Sequence, residues 1–212
     1  MKRALMIGLL GLIAFLPAGA ARAQTGWANP DSGMVNQISE YLNNLTTLQS
    51  RFIQMTSNGN YAEGELFVAR PGKLRFQYDP PIPYLLVSNG SSVAYYDFEL
   101  ENVSYTDLDA TPAAFLVAET IDLGKQAKIT SVGRFQGALH VTLLDPDNPD
   151  SGTMTLMFSE NPLTLRQWSV VDPQGVETTV TLLSPRFGGK IDADLFKVLS
   201  LKAMRPADRK PN

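Results

Sequence analysis

The 212-residue chain has no cysteine and a single histidine, His140. Without cysteine it can form no disulfide, it has no thiol nucleophile, and it has no lipobox cysteine that could be acylated. His140 lies in the middle of a predicted strand, and the sequence has no G-x-S-x-G nucleophile elbow. The usual pairs of base and nucleophile therefore cannot be assembled, and we predict no catalytic residue and a protein that is not an enzyme.

Acidic residues are present, but their spacing does not suit a metal ion. Asp145, Asp147 and Asp150 resemble a calcium loop in acidity alone, because Pro146 and Pro149 interrupt the pattern and no closing Glu follows. A solvated hairpin loop explains these residues better. We therefore predict neither a metal site nor a cofactor.

The start of the chain has the pattern of a cleaved signal peptide. Two basic residues precede an apolar run from Ala4 to Leu16, and Ala21-Arg22-Ala23 has the A-x-A form of a cleavage site. The run is too short to span a bilayer comfortably, although an uncleaved anchor is the alternative. We expect residues 1–23 to be removed and residues 24–212 to be exported as a single domain.

The expected mature chain is acidic. Three of the 18 basic residues lie in the first 23 positions, which leaves 15 against 21 acidic residues, a net charge of −6. A surface of this charge argues against nucleic acid as a partner. No second long apolar run follows, and the chain has no heptads or long repeats.

An amphipathic helix opens the predicted fold. The apolar residues recur at three- and four-residue steps, which gives a helix one buried side. They are Val35, Ile38, Tyr41, Leu42 and Leu45. Such a helix can be an ordinary packing helix or can cover a pocket.

The stretch from Tyr61 to Tyr105 has the clearest strand signals. Leu74, Phe76 and Tyr78 alternate with charged or polar residues, which predicts a strand with one apolar side. Asn89-Gly90 lies between two apolar runs and predicts a tight hairpin.

Arg70 shares the face of Leu66 and Val68 by the parity of a strand. A guanidinium on an interior face needs several acceptors, and carbonyls at the end of a covering helix would serve. The alternative is an arginine at a strand end, just before Pro71, that points to water.

The second half of the chain reads as one short helix followed by strands. Thr111-Pro112 begins the helix, which contains Phe115 and Leu116. Short strands with turn residues between them indicate a meander that curls into a barrel or sandwich. The predicted strands are 128–135, 138–144, 153–158, 163–171 and 176–183.

Several motifs, taken in order along the chain, resemble a known family. They are Leu66-Phe67-Val68-Ala69-Arg70-Pro71-Gly72-Lys73-Leu74-Arg75-Phe76, a proline-rich break, Ser88-Asn89-Gly90, Tyr95-Tyr96-Asp97 and the late Asp192-Ala193-Asp194-Leu195-Phe196. In these motifs the chain is similar to the periplasmic outer-membrane lipoprotein carrier family, LolA. The family's Pro-Pro-Gly after the late Phe is missing, and residues 198–212 form a basic tail that we expect to be partly disordered.

The resemblance implies both a fold and a function. The fold is mainly β (α+β), a half-open, strongly curved antiparallel β-barrel with a helical lid over its concave face. The function is that of a monomeric periplasmic carrier, which takes the acyl chains of lipoproteins from an inner-membrane release complex to an outer-membrane acceptor, either a receptor or the membrane itself. No covalent chemistry is involved. A lipid-sensing regulatory domain, or a paralogous carrier of another lipid, is the alternative on the same fold.

The resemblance also implies roles for individual residues. The family's matching arginine hydrogen-bonds the lid backbone and keeps the empty cavity shut, so Arg70 is expected to latch the lid. The expected acyl-chain-binding residues are apolar side chains on the concave wall or the short helix, although the same side chains could fill an ordinary core. They are Leu66, Val68, Leu74, Phe76, Tyr78, Phe115 and Leu116.

Overall fold

The computed structural model describes residues 32–123, 127–147 and 149–204, which form two α-helices and eleven β-strands. The helices are α1 (Ser32–Asn44) and α2 (Ala113–Val117). The strands are β1 (Thr47–Thr56), β2 (Tyr61–Ala69), β3 (Lys73–Tyr78), β4 (Tyr84–Asn89), β5 (Ser92–Asp97), β6 (Asn102–Asp107), β7 (Lys128–Phe135), β8 (Ala138–Leu144), β9 (Thr153–Ser159), β10 (Thr164–Val171) and β11 (Glu177–Phe187). Short 3-10 turns lie at Leu108–Ala110, Pro149–Ser151, Ala193–Phe196 and Leu201–Ala203.

All eleven strands belong to one antiparallel sheet in the order β6-β5-β4-β3-β2-β1-β11-β10-β9-β8-β7. Strands β1 to β6 run as a meander to one edge, and β7 to β11 run as a second meander from the other edge back to β1. The connection from β6 to β7 therefore joins opposite edges of the sheet. It carries α2, which packs on the same face of the sheet as α1.

The sheet is strongly curved. Phe76 of β3 and Trp168 of β10 lie four strands apart in the sheet, yet their ring centroids are 6.4 Å apart. In a flat sheet, strands four places apart would be separated by about 19 Å, at about 4.8 Å per step. Because β6 and β7 do not pair with each other, the curved sheet stays open along one side. The predicted half-open antiparallel fold is confirmed.

We call the face that packs on both helices the inner face, and α1 together with residues 108–123 the lid. Helix α1 contributes its predicted apolar stripe, with Ile38 and Leu42 buried and Tyr41 packed edge-on against Phe158. The predicted single buried side of this helix is confirmed. Burial of each large apolar side chain stabilises the fold by about 1.5–3 kcal/mol, so α1 is held mainly by packing on the sheet.

The opposite, outer face of the sheet is also covered. Arg75, which alternates with Leu74 and Phe76, is only 3% exposed. A second apolar cluster covers the outer face, because the C-terminal segment 198–204 packs there against β4 and β5. Its members are Leu85, Val87, Ala94, Tyr96 and Met204, with Phe98, Val103, Val198, Leu199 and Leu201 around them. The alternation of β3 is as predicted, but the sequence did not show that a distant segment covers its polar side.

The predicted strands of the second half agree closely with the structure. The largest difference is at β11, which continues to Phe187 and pairs there with Leu48 of β1. The predicted signal peptide, residues 1–23, and the end of the basic tail, residues 205–212, lie outside the described residues. Among the described residues, no helix has both the length and the apolar composition needed to cross a membrane.

Candidate functional site

Arg70 lies in the turn between β2 and β3, directly below the C-terminal end of α1. Its backbone N–H donates to the carbonyl of Thr46, in the short link between α1 and β1, at 2.8 Å. The backbone of the turn is therefore tied to the α1–β1 link, independently of the Arg70 side chain. The strand parity that predicted an inward guanidinium thus places it against the lid.

The Arg70 guanidinium donates hydrogen bonds to three backbone carbonyls of the lid and to a fourth in the residue that follows α1, Leu45. Nη1 contacts the carbonyl of Leu42 and that of Leu45, the latter at 3.2 Å. Nε donates to Ala118 at 2.7 Å and Nη2 to Glu119 at 3.3 Å, just beyond α2. The last carbonyls of a helix have no partner within the helix. One side chain therefore supplies donors to the ends of both lid helices.

The electrostatics of this contact follow from its position. The half-buried guanidinium has lost part of its hydration, and this desolvation lowers the pKa of Arg70 from its ordinary value. Arginine stays protonated at neutral pH, so the cation faces four carbonyl oxygens. The negative ends of the two helices favour a cation at this point.

The same turn holds the lid through a second residue, Gly72. Its N–H donates to the carbonyl of Val117 at 2.7 Å, and its own carbonyl accepts from the fully buried Ser88 hydroxyl at 2.7 Å. Gly72 has φ +72°, and a Cβ there would lie 2.6 Å from the Cα of Gly90. The Asn89-Gly90 hairpin turn thus approaches Gly72 more closely than a side chain would allow.

Asn43 joins the two parts of the lid to each other, a role that the sequence did not reveal. Its side-chain amide donates to the carbonyl of Ile121 and its side-chain oxygen accepts from the N–H of Ile121, both at 2.9 Å. The position of Asn43 in the last turn of a predicted helix was visible in the sequence. Its partner, 78 residues further along the chain, was not.

The inner face below Arg70 is almost completely packed. The residual void there is about 20 Å³, which is little more than one water molecule requires. Three of the predicted acyl-chain-binding residues border it, namely Val68, Leu74 and Leu116. In this closed arrangement the lid itself occupies the concave face on which acyl chains were expected to lie.

A larger cavity of about 460 Å³ lies on the other side of α2, between the lid and strands β8 to β10. Apolar residues from both sides line it, including Phe115, Leu143, Met154 and Val170. Its volume is within the range of roughly 300–1,000 Å³ that small-molecule sites occupy. Of the predicted acyl-chain-binding residues, Phe115 alone borders this cavity. The strand residues that line it were missed, because their alternating pattern matches that of any core strand.

The remaining predicted acyl-chain-binding residues lie in an aromatic cluster of the core. Phe76 and Tyr78 pack edge-on against Phe52, at centroid distances of 5.1 and 5.4 Å, and Leu66 is fully buried. The hydroxyl of Tyr78 donates to Oε1 of Gln54 at 2.8 Å, and burial raises the pKa of Tyr78 to about 12. These residues form the floor beneath the lid.

His140, which the sequence excluded from catalysis, lies apart from the lid. His140 is in β8, where its ring packs edge-on against that of Phe135, with 6.2 Å between the ring centroids. Within the described ranges, no group of three His, Cys, Asp or Glu side chains is arranged to hold a metal ion. The ion pairs of Arg51 with Asp79 and Glu63 lie on strands and turns away from both cavities.

Solved structures with a similar fold include a DUF1329 family protein from Desulfovibrio piger, with a TM-score of 0.50 and 10% identity over 77% of this chain and 95% of that one. A LolA superfamily protein from Nitrosomonas europaea gives a TM-score of 0.47 and 7% identity, over 77% of this chain and 97% of that one. At 10% identity, the likeness to the Desulfovibrio protein shows a shared fold and carries no information about function.

Sequence relatives are more informative. The outer-membrane lipoprotein carrier protein of Pseudomonas aeruginosa is 30% identical over 193 residues, 87% of this chain and 90% of that protein. The protein of the same name from Azotobacter vinelandii is 28% identical over 178 residues, 80% of this chain and 85% of that protein. The family model described as outer membrane lipoprotein carrier protein LolA matches residues 43–199, from the end of α1 to the segment on the outer face. The chain therefore belongs to the LolA family of outer-membrane lipoprotein carrier proteins.

Proposed function

We propose that the protein is a periplasmic carrier that shields the acyl chains of lipoproteins between the inner and the outer membrane. The observation that carries the proposal is the Arg70 contact, in which one cation closes both lid helices over a curved apolar wall. Family membership supplies the cargo class, because the named relatives are outer-membrane lipoprotein carriers. The cargo arrives from an inner-membrane release complex and leaves to an outer-membrane acceptor, and the carrier acts as a monomer.

The two spaces next to α2 suggest how cargo is taken up. Phe115 borders the 460 Å³ cavity and its neighbour Leu116 borders the small void under Arg70. Helix α2, which has only five residues, is too short to be stable by itself. Displacing α2 would join the cavity to the space above Val68 and Leu74, so that acyl chains replace the apolar side chains of the lid.

The energetics allow such an exchange. Each acyl methylene removed from water contributes about 0.8 kcal/mol, so two or three long chains are costly to leave exposed. Both membranes offer similar apolar surroundings, and the direction of transfer then depends on small differences. A hydrogen bond to a charged group contributes a net free energy of roughly 1.5–3 kcal/mol, after the hydrogen bonds to water that it replaces are counted. The free energy that Arg70 contributes to lid closure is therefore large enough to favour release of the cargo.

The proposal includes no covalent step. The described residues near the lid provide donors, carbonyls and apolar side chains, and His140, Asp145 and Asp147 are not arranged as a base and nucleophile. The carrier binds and releases its cargo and leaves it chemically unchanged.

Replacing Arg70 by Leu tests the proposal. We expect the variant to fold and to bind a fluorescent palmitoylated peptide, but to release it to phosphatidylethanolamine and phosphatidylglycerol vesicles about tenfold more slowly. The reason is that the closed, empty state loses the hydrogen bonds that compete with cargo. Release is followed by the fluorescence change as the peptide enters the vesicles.

Two further variants sharpen the result. Arg134 lies on the edge strand β7 and forms an ion pair with Glu160. The variant Arg134→Leu is the control, and we expect it to release cargo at the wild-type rate. Arg70→Lys keeps the charge but loses the planar fork, so its release rate should fall between those of wild type and Arg70→Leu. Equal release by wild type and Arg70→Leu would contradict the latch.

A further inference from the structure

The 460 Å³ cavity combines an apolar interior with an acidic rim. Phe115, Leu143, Met154 and Val170 form much of its wall. Two carboxylates, those of Asp109 and Asp145, are among the residues that line it, and both residues are exposed. Among the described residues lining this cavity there is no lysine or arginine.

The charge around the cavity extends beyond its lining. The segments 107–122 and 145–150, which supply the lid side and the β8–β9 turn, contain seven acidic residues and no basic residue. The acidic residues are Asp107, Asp109, Glu119, Asp122, Asp145, Asp147 and Asp150. Of the cations that the structure describes, Lys128 lies opposite Leu144 at the start of β7, and the Arg70 guanidinium bonds the carbonyls of Ala118 and Glu119. Carboxylates therefore outnumber the described cations around this cavity.

We propose that this cavity selects acyl chains by the charge of the group attached to them, and that its occupant is the acyl chain of a peptide with lysine or arginine next to the acylated residue. The inference rests on the proposed carrier function and deepens it, since it names the class of cargo that the site prefers. An acyl chain that carries an acidic peptide or a phosphate next to its first polar atoms binds more weakly than one that carries a basic peptide.

The geometry gives the physical reason for this selectivity. An acyl chain inserted between α2 and the strands leaves its first polar atoms at the rim, beside Asp109 and Asp145. The N–H of Asp147 donates to Oδ1 of Asp145 at 2.9 Å, so this carboxylate is held at the start of the β8–β9 turn. A clustered charge of one sign next to a low-dielectric wall raises the local concentration of ligands of the opposite sign. The apolar wall thus supplies affinity and the rim supplies discrimination.

The test compares two palmitoylated peptides that differ only in charge. One has two lysines after the acylated residue and the other has two glutamates, and a third peptide with two serines is the neutral reference. We expect the purified protein to bind the lysine peptide about three- to tenfold more tightly than the glutamate peptide at low ionic strength. Added salt should narrow the difference, since exposed charges are screened within about 8 Å at 0.15 M.

Variants locate the effect. The double variant Asp109→Asn and Asp145→Asn keeps the size of both side chains and should bind the lysine and glutamate peptides with affinities within about twofold of each other. Glu99→Gln with Glu101→Gln is the matched control, because it removes the same charge at the β5–β6 turn, at the other end of these strands from Asp107. The control should keep the wild-type preference.

The outcomes separate this inference from the proposed function. If wild type binds all three peptides equally, the carrier function stands and charge selection is wrong. If the double variant keeps the preference, or if the control loses it, the rim is not the source of the selectivity. If none of the peptides binds, including the neutral one, the carrier function fails and the inference fails with it.

Discussion

Arg70 can bond the ends of both lid helices because its guanidinium is a planar group with five N–H donors. The four carbonyls it contacts belong to residues that are up to 77 positions apart in the sequence, from Leu42 to Glu119. A lysine has three donors on a flexible stem and presents no such fork. The contact therefore depends on the position of the Arg70–Gly72 turn. A change in the backbone of this turn should weaken the hydrogen bonds to the lid as much as replacement of the Arg70 side chain does.

Replacing Gly72 by Ala tests this dependence on the backbone. The new Cβ would meet the Cα of Gly90 at 2.6 Å, and the φ of +72° is itself strained for an L residue. We expect the free energy of unfolding to fall by about 2–3 kcal/mol in urea titrations. The lid amides of residues 113–121 should also exchange hydrogen faster.

The control for this substitution is Gly59→Ala. Gly59 has a φ of +92° but nothing within 4 Å of its Cβ position, so it carries the conformational cost without the close contact. We expect a loss of about 1 kcal/mol there and no effect on the lid. Equal losses at the two positions would show that the close approach of Gly72 to Gly90 contributes nothing.

The lid is an assembly of short elements held by specific hydrogen bonds. Helix α2 has five residues, and an isolated helix of this length does not persist in water. Its position is fixed by Arg70 and Gly72 from the sheet and by Asn43 from α1. Because Asn43 bonds both the N–H and the carbonyl of Ile121, movement of the α2 segment should be coupled to movement of α1.

Asn43→Ala should uncouple the two parts of the lid. The loss of two hydrogen bonds in a half-buried setting is worth roughly 1–2 kcal/mol, which corresponds to about five- to thirtyfold faster hydrogen exchange where exchange occurs by local opening. We expect this increase at the amide of Ile121 and across α2, measured by hydrogen–deuterium exchange. The sheet amides of β9 and β10 should be unchanged.

Asn36→Ala is the matched control for the coupling. Asn36 lies on the exposed side of the same helix and should leave exchange in α2 as it is in wild type. If Asn43→Ala and Asn36→Ala have the same effect on Ile121, the two helices are coupled through packing alone.

Across the whole molecule, the features that could be predicted from the sequence are those that depend on local periodicity. Alternation placed the strands, and the parity of Leu66, Val68 and Arg70 put the guanidinium on the lid side. The cavity beside α2 could not be predicted, because its position depends on how a five-residue helix packs between strands distant in sequence. The burial of Arg75 could not be predicted either, because its acceptor, the carbonyl of Leu195, lies 120 residues away in the sequence.

The outer cluster makes the C-terminal segment part of the folded domain. Arg75 donates to the carbonyl of Leu195 at 3.2 Å, and the Tyr96 hydroxyl both donates to the carbonyl of Leu199 and accepts from its N–H. Met204, 5% exposed, packs into the same cluster. Strands β3 to β5 are thus covered on both faces, by the lid on one side and by this segment on the other.

This arrangement predicts that stability and cargo binding can be changed separately. Met204→Ala removes a buried side chain from the outer face, and we expect it to lower the free energy of unfolding by about 2–4 kcal/mol in urea titrations. Its affinity for the palmitoylated serine peptide should match wild type while the protein is folded, because no outer-cluster residue lines either cavity. Leu100→Ala, at a position 74% exposed, should change neither quantity. Unchanged stability of Met204→Ala would mean that the C-terminal segment does not hold the sheet, whereas a loss of affinity in the folded variant would mean that the outer face communicates with the lid.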